Sequence, residues 1–135
     1  MNLRIAHITL LIDDYDKAID FFTRKLNFKL VEDTKLSDEK RWVLVKPQGP
    51  ENCCLLLAKA SNDEQKRSIG HQSGGRVFLF LQTDNFKRDY QNLIDNGINI
   101  VREPNSEDYG TVAVFEDIYG NLWDLIEPSK SRLDN

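Results

Sequence analysis

The sequence has few of the residues that mark specialised classes of protein: two cysteines, four prolines, seven glycines and one methionine among 135 residues. The two cysteines, Cys53 and Cys54, are adjacent in a predicted strand. Because neighbouring side chains of a strand point to opposite faces, this pair is poorly placed to form a disulfide. The chain is therefore predicted to work in a reducing, cytoplasmic compartment.

Long apolar runs and an excess of basic charge are also missing. The longest apolar runs, such as residues 53–58, are far too short to span a bilayer, and no long apolar core of a signal peptide follows Met1. The formal net charge is −4, whereas a nucleic-acid-binding protein normally presents a basic face. We therefore predict a soluble, single-domain protein that binds neither membranes nor nucleic acids.

The sequence does contain one small unit twice, at a shift of 70 residues. Residues 7–14 form an apolar strand that runs into an acidic turn, and residues 77–84 repeat this pattern. Asn27 and Gly97, at the expected ends of the two helices, are related by the same shift, and both types accept the left-handed backbone of a helix stop. Each half is predicted to have the order strand, helix, strand, strand, strand.

The predicted boundaries follow from apolar alternation and turn residues. The modules are residues 4–60 and 76–128, separated by a polar linker at 61–75 and followed by a charged, frayed tail at 129–135. The predicted strands are residues 4–12, 28–32, 41–45, 53–58, 77–81, 98–102, 111–116 and 122–126. The predicted helices are one after Asp14, which caps it, a short one at 63–67 and a third at 86–96.

Three segments carry a resemblance to a known superfamily: His7 in the first strand, residues 15–22 in the first helix, and the turn at 120–121 before the last strand. Together they resemble the vicinal oxygen chelate superfamily of glyoxalase I, bleomycin-resistance proteins and extradiol dioxygenases, over about residues 5–128. The resemblance implies an α+β fold in which two tandem βαβββ modules form an incomplete barrel, with a pocket between the modules.

The resemblance also implies where a metal ion would be held. In metal-using members each module supplies one ligand from its first strand and one from its last, and His7 and Asp124 match two of these four positions. In the second module the equivalent of His7 is Val77. In the first module the equivalent of Asp124 is Cys54 or, with a slip of one residue, Leu55. We therefore predict an incomplete site for one divalent ion (Zn, Ni, Mn or Fe), with Cys54 as a third candidate donor beside its alternative as a core residue.

Four further residues are candidate contacts for a ligand: Trp42, Gln82, Tyr109 and Trp123. Aromatic side chains on curled strands line pockets for planar or hydrophobic molecules, although core packing is the alternative for each of them. Gln82 ends a strand, where its amide could hydrogen-bond a ligand. No nucleophile elbow, phosphate-binding loop or paired zinc cysteine motif is present in the sequence.

Two functions remain open at this point. The first is a small-molecule-binding protein of the glyoxalase and bleomycin-resistance type, which the loss of ligands at Val77 and Leu55 favours. The second is a metal-dependent lyase or isomerase of the glyoxalase type, or a related dioxygenase, in which His7 and Asp124 hold the ion. Since single-domain members usually pair, a homodimer is predicted.

Overall fold

The computed structural model describes residues 1–130, so most of the predicted tail, from residue 131 on, lies outside the described residues. The chain divides into two compact units, with the boundary between Ile69 and Gly70. In the described part of the chain, the helices are too short or too polar to cross a membrane.

The elements of the first unit are β1 (His7–Ile12), α1 (Tyr15–Asp20) with a π-helical turn (Phe21–Lys25), β2 (Lys29–Lys35), β3 (Arg41–Lys46), β4 (Cys54–Lys59) and α2 (Asp63–Ser68). Its four strands form a sheet with the order β1-β4-β3-β2, in which only β1 and β4 are parallel. Helix α1 begins after Asp14, whose carboxylate accepts a hydrogen bond from the backbone N–H of Lys17 at 3.0 Å. This is the predicted cap.

The elements of the second unit are β5 (Val77–Gln82), α3 (Phe86–Asp95), β6 (Ile100–Glu107), β7 (Gly110–Glu116) and β8 (Leu122–Pro128). The unit repeats the arrangement of the first with the strand order β5-β8-β7-β6, in which β5 and β8 are parallel. Both units have the predicted βαβββ order. The α+β class and the tandem modules are thereby confirmed.

One face of each sheet packs against the helix of its own unit, and we call the other one the far face. In the first unit the buried helix-side residues include Leu10 and Leu57, and in the second they include Trp123 and Leu125. Because successive residues of a strand alternate between faces, Asp124 lies on the far face of the second sheet. The far faces therefore carry His7 of β1 and Asp124 of β8, the two polar residues selected from the sequence.

The strand pairing shows that the repeat is not a uniform shift of 70 residues. An irregularity between Val77 and Leu79 adds one residue to β5, so the cap of α3 is Asn85, which accepts from the backbone N–H of Arg88 at 3.1 Å. In the first unit the π-helical turn adds one residue to the helix, and the shift returns to 70. Asn27 and Gly97 then have φ values of 60° and 69°, which confirms both predicted helix stops.

Candidate functional site

The register identifies the position in the first sheet that corresponds to Asp124. Asp124 pairs with Val114 of β7 and with Phe80 of β5. In the first sheet the residue of β4 that pairs in the same way is Leu56, whose neighbours are Leu44 of β3 and Thr9 of β1. The shift between β4 and β8 is thus 68 residues.

Leu56 is therefore the counterpart of Asp124, and the expected equivalence with Cys54 or Leu55 is corrected. The correction has a simple cause, because β3 and β7 keep the shift of 70 while the turns that lead to β4 and β8 differ in length by two residues. Leu56 and Leu55 both have hydrocarbon side chains. Only an equivalence with Cys54 would have supplied a donor atom at the counterpart position. The first sheet supplies no carboxylate where the second supplies Asp124.

His7 lies at the start of β1 on the far face of the first sheet. Its Nδ1 is 2.7 Å from the carbonyl oxygen of Ala6 and, because a carbonyl oxygen can only accept, Nδ1 is the donor in this hydrogen bond. The ring meets Trp42 edge-on, with 6.0 Å between centroids and 73° between planes. Cys54, a half-buried free thiol, is the register partner of His7 on β4. The first sheet thus places an imidazole, a thiol and an indole on the same face.

Asp124 is the most unusual polar residue of the second sheet. Its Oδ1 is buried and has no hydrogen-bond partner among residues 1–130. Burial raises the pKa of this carboxyl group, the positive charge of Arg102 opposes that shift, and no hydrogen bond contributes. Since buried polar atoms in folded proteins are nearly always paired, this oxygen has a hydrogen-bonding capacity that residues 1–130 do not meet.

Asp124 belongs to a row of side chains that crosses the whole second sheet on its far face. The pairing places Arg102 of β6 beside Val114 of β7, Val114 beside Asp124, and Asp124 beside Phe80 of β5. Phe80 is 69% exposed, and Arg102 is also exposed. With strands about 4.8 Å apart, the row offers a cation, a carboxylate and an aromatic ring within about 14 Å.

Phe80 and Arg102 are not among the residues predicted from the sequence. Alternation alone puts residue 80 on the helix side if it is counted from the start of β5, and only the irregularity near Val77 turns it to the far face. No sequence signal could have found Arg102 either, because its place opposite Val114 follows a register irregularity, which recurs at the equivalent point of β2. Both residues become candidates once their pairing with β8 and β7 is known.

The four candidate ligand contacts lie in different surroundings. Trp42 is half-buried beside His7, as described above. Gln82 is exposed at the end of β5, two residues beyond Phe80 and on the same face. Tyr109 is 41% exposed in the turn between β6 and β7, and its carbonyl oxygen accepts from the backbone N–H of Ser129 at 2.9 Å. Three of the four therefore have exposed surface.

The fourth candidate, Trp123, is 2% exposed and lies on the helix side of β8. Its ring stacks on Phe115 with 5.9 Å between centroids, and its Nε1 donates to Asp117 Oδ2 at 3.0 Å. Its polar atom is thus satisfied inside the unit, as a buried indole requires. This is the core packing that was the alternative for Trp123.

The turn that leads into β8 is organised by Asp117, which is 5% exposed. Its carboxylate accepts four hydrogen bonds: from the backbone N–H of Tyr119 at 2.9 Å, from the backbone N–H and the side-chain amide of Asn121 at 3.1 and 3.0 Å, and from Trp123. Burial raises the pKa of Asp117, and these bonds oppose the shift. The network fixes the start of the strand on which Asp124 lies.

The residues present do not fit a divalent ion held in the way that the resemblance implies. Within residues 1–130, no three side chains of His, Cys, Asp and Glu are grouped so that they could hold a metal ion. The counterparts of His7 and Asp124, Val77 and Leu56, have no donor atoms in their side chains. Protein metal sites normally use three or four protein ligands, so one imidazole and one carboxylate are an incomplete set.

Known proteins resemble the chain along most of its length. The family model of the glyoxalase/bleomycin resistance protein/dioxygenase superfamily matches residues 4–125. An uncharacterised protein of Shewanella frigidimarina is 57% identical over 94% of this chain and 95% of its own. Lactoylglutathione lyase of Escherichia coli O157:H7 is 28% identical over 93% of each chain. The crystal structure of TnmS3, an antibiotic-binding protein of Streptomyces sp. CB03234, has a TM-score of 0.77 and 26% identity over 95% of this chain and 98% of its own.

Proposed function

Since the chain belongs to the glyoxalase/bleomycin resistance protein/dioxygenase superfamily, we propose that it binds a small organic molecule and that no metal ion takes part in that binding. The binding surface is the far face of the second sheet, around Asp124. The observation that carries this proposal is the orphaned, buried Oδ1 of Asp124, beside an exposed aromatic ring. TnmS3, an antibiotic-binding protein, supports the proposal as a relative of similar fold.

The alternative is a divalent-metal-dependent lyase or isomerase of the glyoxalase type. The similarity to lactoylglutathione lyase favours it, as do His7 and Asp124 at two of the four expected ligand positions. A hydrocarbon side chain at Val77 and at Leu56 counts against it, because the ion would lack half of its protein ligands. The incomplete donor set makes binding the stronger proposal. That the ligand lies between the two modules stays a prediction.

We further propose that the protein works as a homodimer in the cytoplasm. The residues of β2 and β6 are nearly all exposed, and both strands lie at the edge of their sheets. Exposed sheet edges are surfaces that another chain can cover. The net charge of −4 supports partners other than nucleic acids.

Binding is expected to be independent of metal ions. Calorimetry of the purified protein with a panel of small aromatic and amphipathic compounds should find ligands that bind one per chain, and excess chelator should leave their affinity unchanged. The physical reason is that Asp124 meets the ligand directly, so no ion has to be present. Binding that disappears with chelator and returns with Zn, Ni, Mn or Fe would support the lyase instead.

The same samples separate the two functions by activity. The formation of lactoylglutathione, followed with each of the four metal ions added in excess, is expected to stay at the rate measured without protein. A rate that depends on protein and metal, and that is lost in His7→Ala, is the result that contradicts the binding proposal.

A further inference from the structure

We propose that Asn96 is a modification site, at which the side-chain amide reacts with the backbone nitrogen of Gly97 and is converted to aspartate or isoaspartate. The inference is independent of the proposed function, because it concerns the C-terminal end of α3 and not the far face of the sheet. It includes a second element: the hydrogen bonds of the folded helix end control the rate of the reaction.

The sequence provides the reactive pair. Asn96 is the only asparagine in the sequence that is followed by a glycine. In this reaction the backbone nitrogen of the next residue attacks the side-chain carbonyl carbon, and a side chain on that next residue hinders the attack. Gly97 has no side chain and is exposed, and no atom of residues 1–130 would lie within 4 Å of a Cβ built there. The pair is therefore sterically open.

The chemistry needs only the chain and water. The Gly97 nitrogen gives its proton to solvent and forms a bond to Cγ of Asn96, while the bond from Cγ to Nδ2 breaks and ammonia leaves. Water then opens the resulting five-membered succinimide ring. Breaking the new bond from nitrogen to Cγ gives aspartate, and breaking the bond from nitrogen to the backbone carbonyl carbon gives isoaspartate. In total one ammonia leaves and one water enters, so no oxidant or reductant is required.

The folded end of α3 is a Schellman motif, which engages the attacking nitrogen. The backbone N–H of Gly97 donates to the carbonyl oxygen of Ile94 at 3.1 Å, and the N–H of Ile98 donates to the carbonyl oxygen of Leu93 at 3.0 Å. Ile98 and Leu93 are both buried, which anchors the turn. While its N–H makes this hydrogen bond, the Gly97 nitrogen cannot lose its proton and turn toward Asn96.

The side chain of Asn96 is held as well. Its Nδ2 donates to the carbonyl oxygen of Asn92 at 2.8 Å and to Oδ1 of Asn92 at 3.0 Å. Both bonds draw the amide toward the preceding helical turn, whereas Gly97 follows Asn96. The reaction therefore requires the last turn of α3 to open. Helix ends are among the parts of a folded protein that open most readily, so the native protein is also modified, at a lower rate.

The first unit has the same left-handed turn without the reactive pair. Asn27 is the equivalent of Gly97 and has a φ of 60°, and the backbone N–H of Phe28 donates to the carbonyl oxygen of Phe22 at 2.8 Å. Leu26, the residue before Asn27, has no amide to react. The turn thus accommodates an asparagine at this position. Gly97→Asn should keep the backbone of the helix end and hinder the attack on Asn96.

Either product is expected to weaken the end of α3. An aspartate at position 96 places a carboxylate oxygen where Nδ2 now donates to the carbonyl oxygen of Asn92. It also adds a negative charge beside Asp95 at a helix C-terminus, where the helix dipole disfavours it. An isoaspartate adds a methylene group to the backbone inside the turn. Because α3 packs against β8, we expect the second unit of the modified protein to unfold more readily.

The test follows the modification by mass spectrometry of peptides from protein incubated in mildly alkaline buffer, with and without urea. We expect residue 96 to be modified before any other asparagine, as a mixture of aspartate and isoaspartate. The rate in the folded protein should be lower than in the urea-unfolded chain by about tenfold or more, because the turn must open first.

Four variants make the test specific. Gly97→Asn should slow the reaction about tenfold in the folded and in the unfolded chain. Ile98→Val loosens the turn and should accelerate the reaction about threefold in the folded protein alone. The matched control Ile12→Val removes the same group from a buried site of the first unit and should leave the rate unchanged. Asn96→Asp copies one product and should lower the midpoint of thermal unfolding.

Each element of the proposal can be contradicted separately. Modification that begins at another asparagine, or no detectable modification of the folded protein, overturns the assignment of Asn96. Equal rates in the folded and the unfolded chain, or equal acceleration by Ile12→Val and Ile98→Val, overturn the control by the helix end. An Asn96→Asp variant as stable as the unmodified protein contradicts the expected weakening of α3.

Discussion

Asp117→Ala is expected to destabilise the protein by about 3 kcal/mol or more, one of the two largest effects that the structure predicts. The substitution leaves four donors without their acceptor: two backbone N–H groups, the amide of Asn121 and the indole N–H of Trp123. Asp117 is 5% exposed, so water can replace these bonds only if the turn opens. Urea unfolding of the purified variant measures the loss.

A matched control for Asp117 is another aspartate of the same unit. Asp84 pairs with Arg88 at 3.1 Å on the surface, and 90% of its side chain is exposed. Asp84→Ala should change the free energy of unfolding by less than about 1 kcal/mol, as is usual for surface ion pairs. Similar losses for the two variants would show that the network around Asp117 is not what holds the turn.

Gly70→Ala is expected to have the second large effect, a loss of about 2–4 kcal/mol. Gly70 has a φ of +77°, and a Cβ added there would lie 1.9 Å from the carbonyl oxygen of Tyr119. That oxygen belongs to backbone in the turn that Asp117 organises, so the clash cannot be relieved by rotation of a side chain. The turn or the segment at residue 70 would have to move.

Gly74 provides the control, because it separates backbone strain from the clash. It has a similar φ of +67°, and a Cβ added there would meet nothing within 4 Å. Gly74→Ala should therefore cost only about 1 kcal/mol, from the left-handed backbone alone. If thermal or urea unfolding gives the two variants the same stability, the close approach of Gly70 to Tyr119 does not contribute to the fold.

The fold could be predicted from the sequence because its signals are local and occur twice. Apolar alternation located the strands, Asp14 marked a helix start, and Asn27 and Gly97 marked two helix ends. The single-residue differences could not be predicted, since the extra residue near Val77 and the extra residue in the π-helical turn cancel in the shift. A pattern that depends on the total length of a unit does not detect two changes of opposite effect.

The candidate site was only partly predictable, because part of it depends on strand pairing and not on local sequence. Asp124 could be found from the resemblance, since it follows a recognisable turn. Its neighbours Phe80 and Arg102 could not be found, because they are fixed by hydrogen-bonded pairing between strands that are far apart in the sequence. Trp123 illustrates the converse, because adjacency to Asp124 in the sequence places it on the opposite face of the strand.

The most direct test of the central claim, that Asp124 serves an organic ligand and not a metal ion, is the metal content of the protein. Purified protein is equilibrated with Zn, Ni, Mn or Fe ions, passed through a desalting column and analysed for bound metal. The account predicts that no ion is retained at one per chain, since His7 and Asp124 are an incomplete ligand set. One tightly bound ion per chain that is lost in both His7→Ala and Asp124→Ala would contradict it.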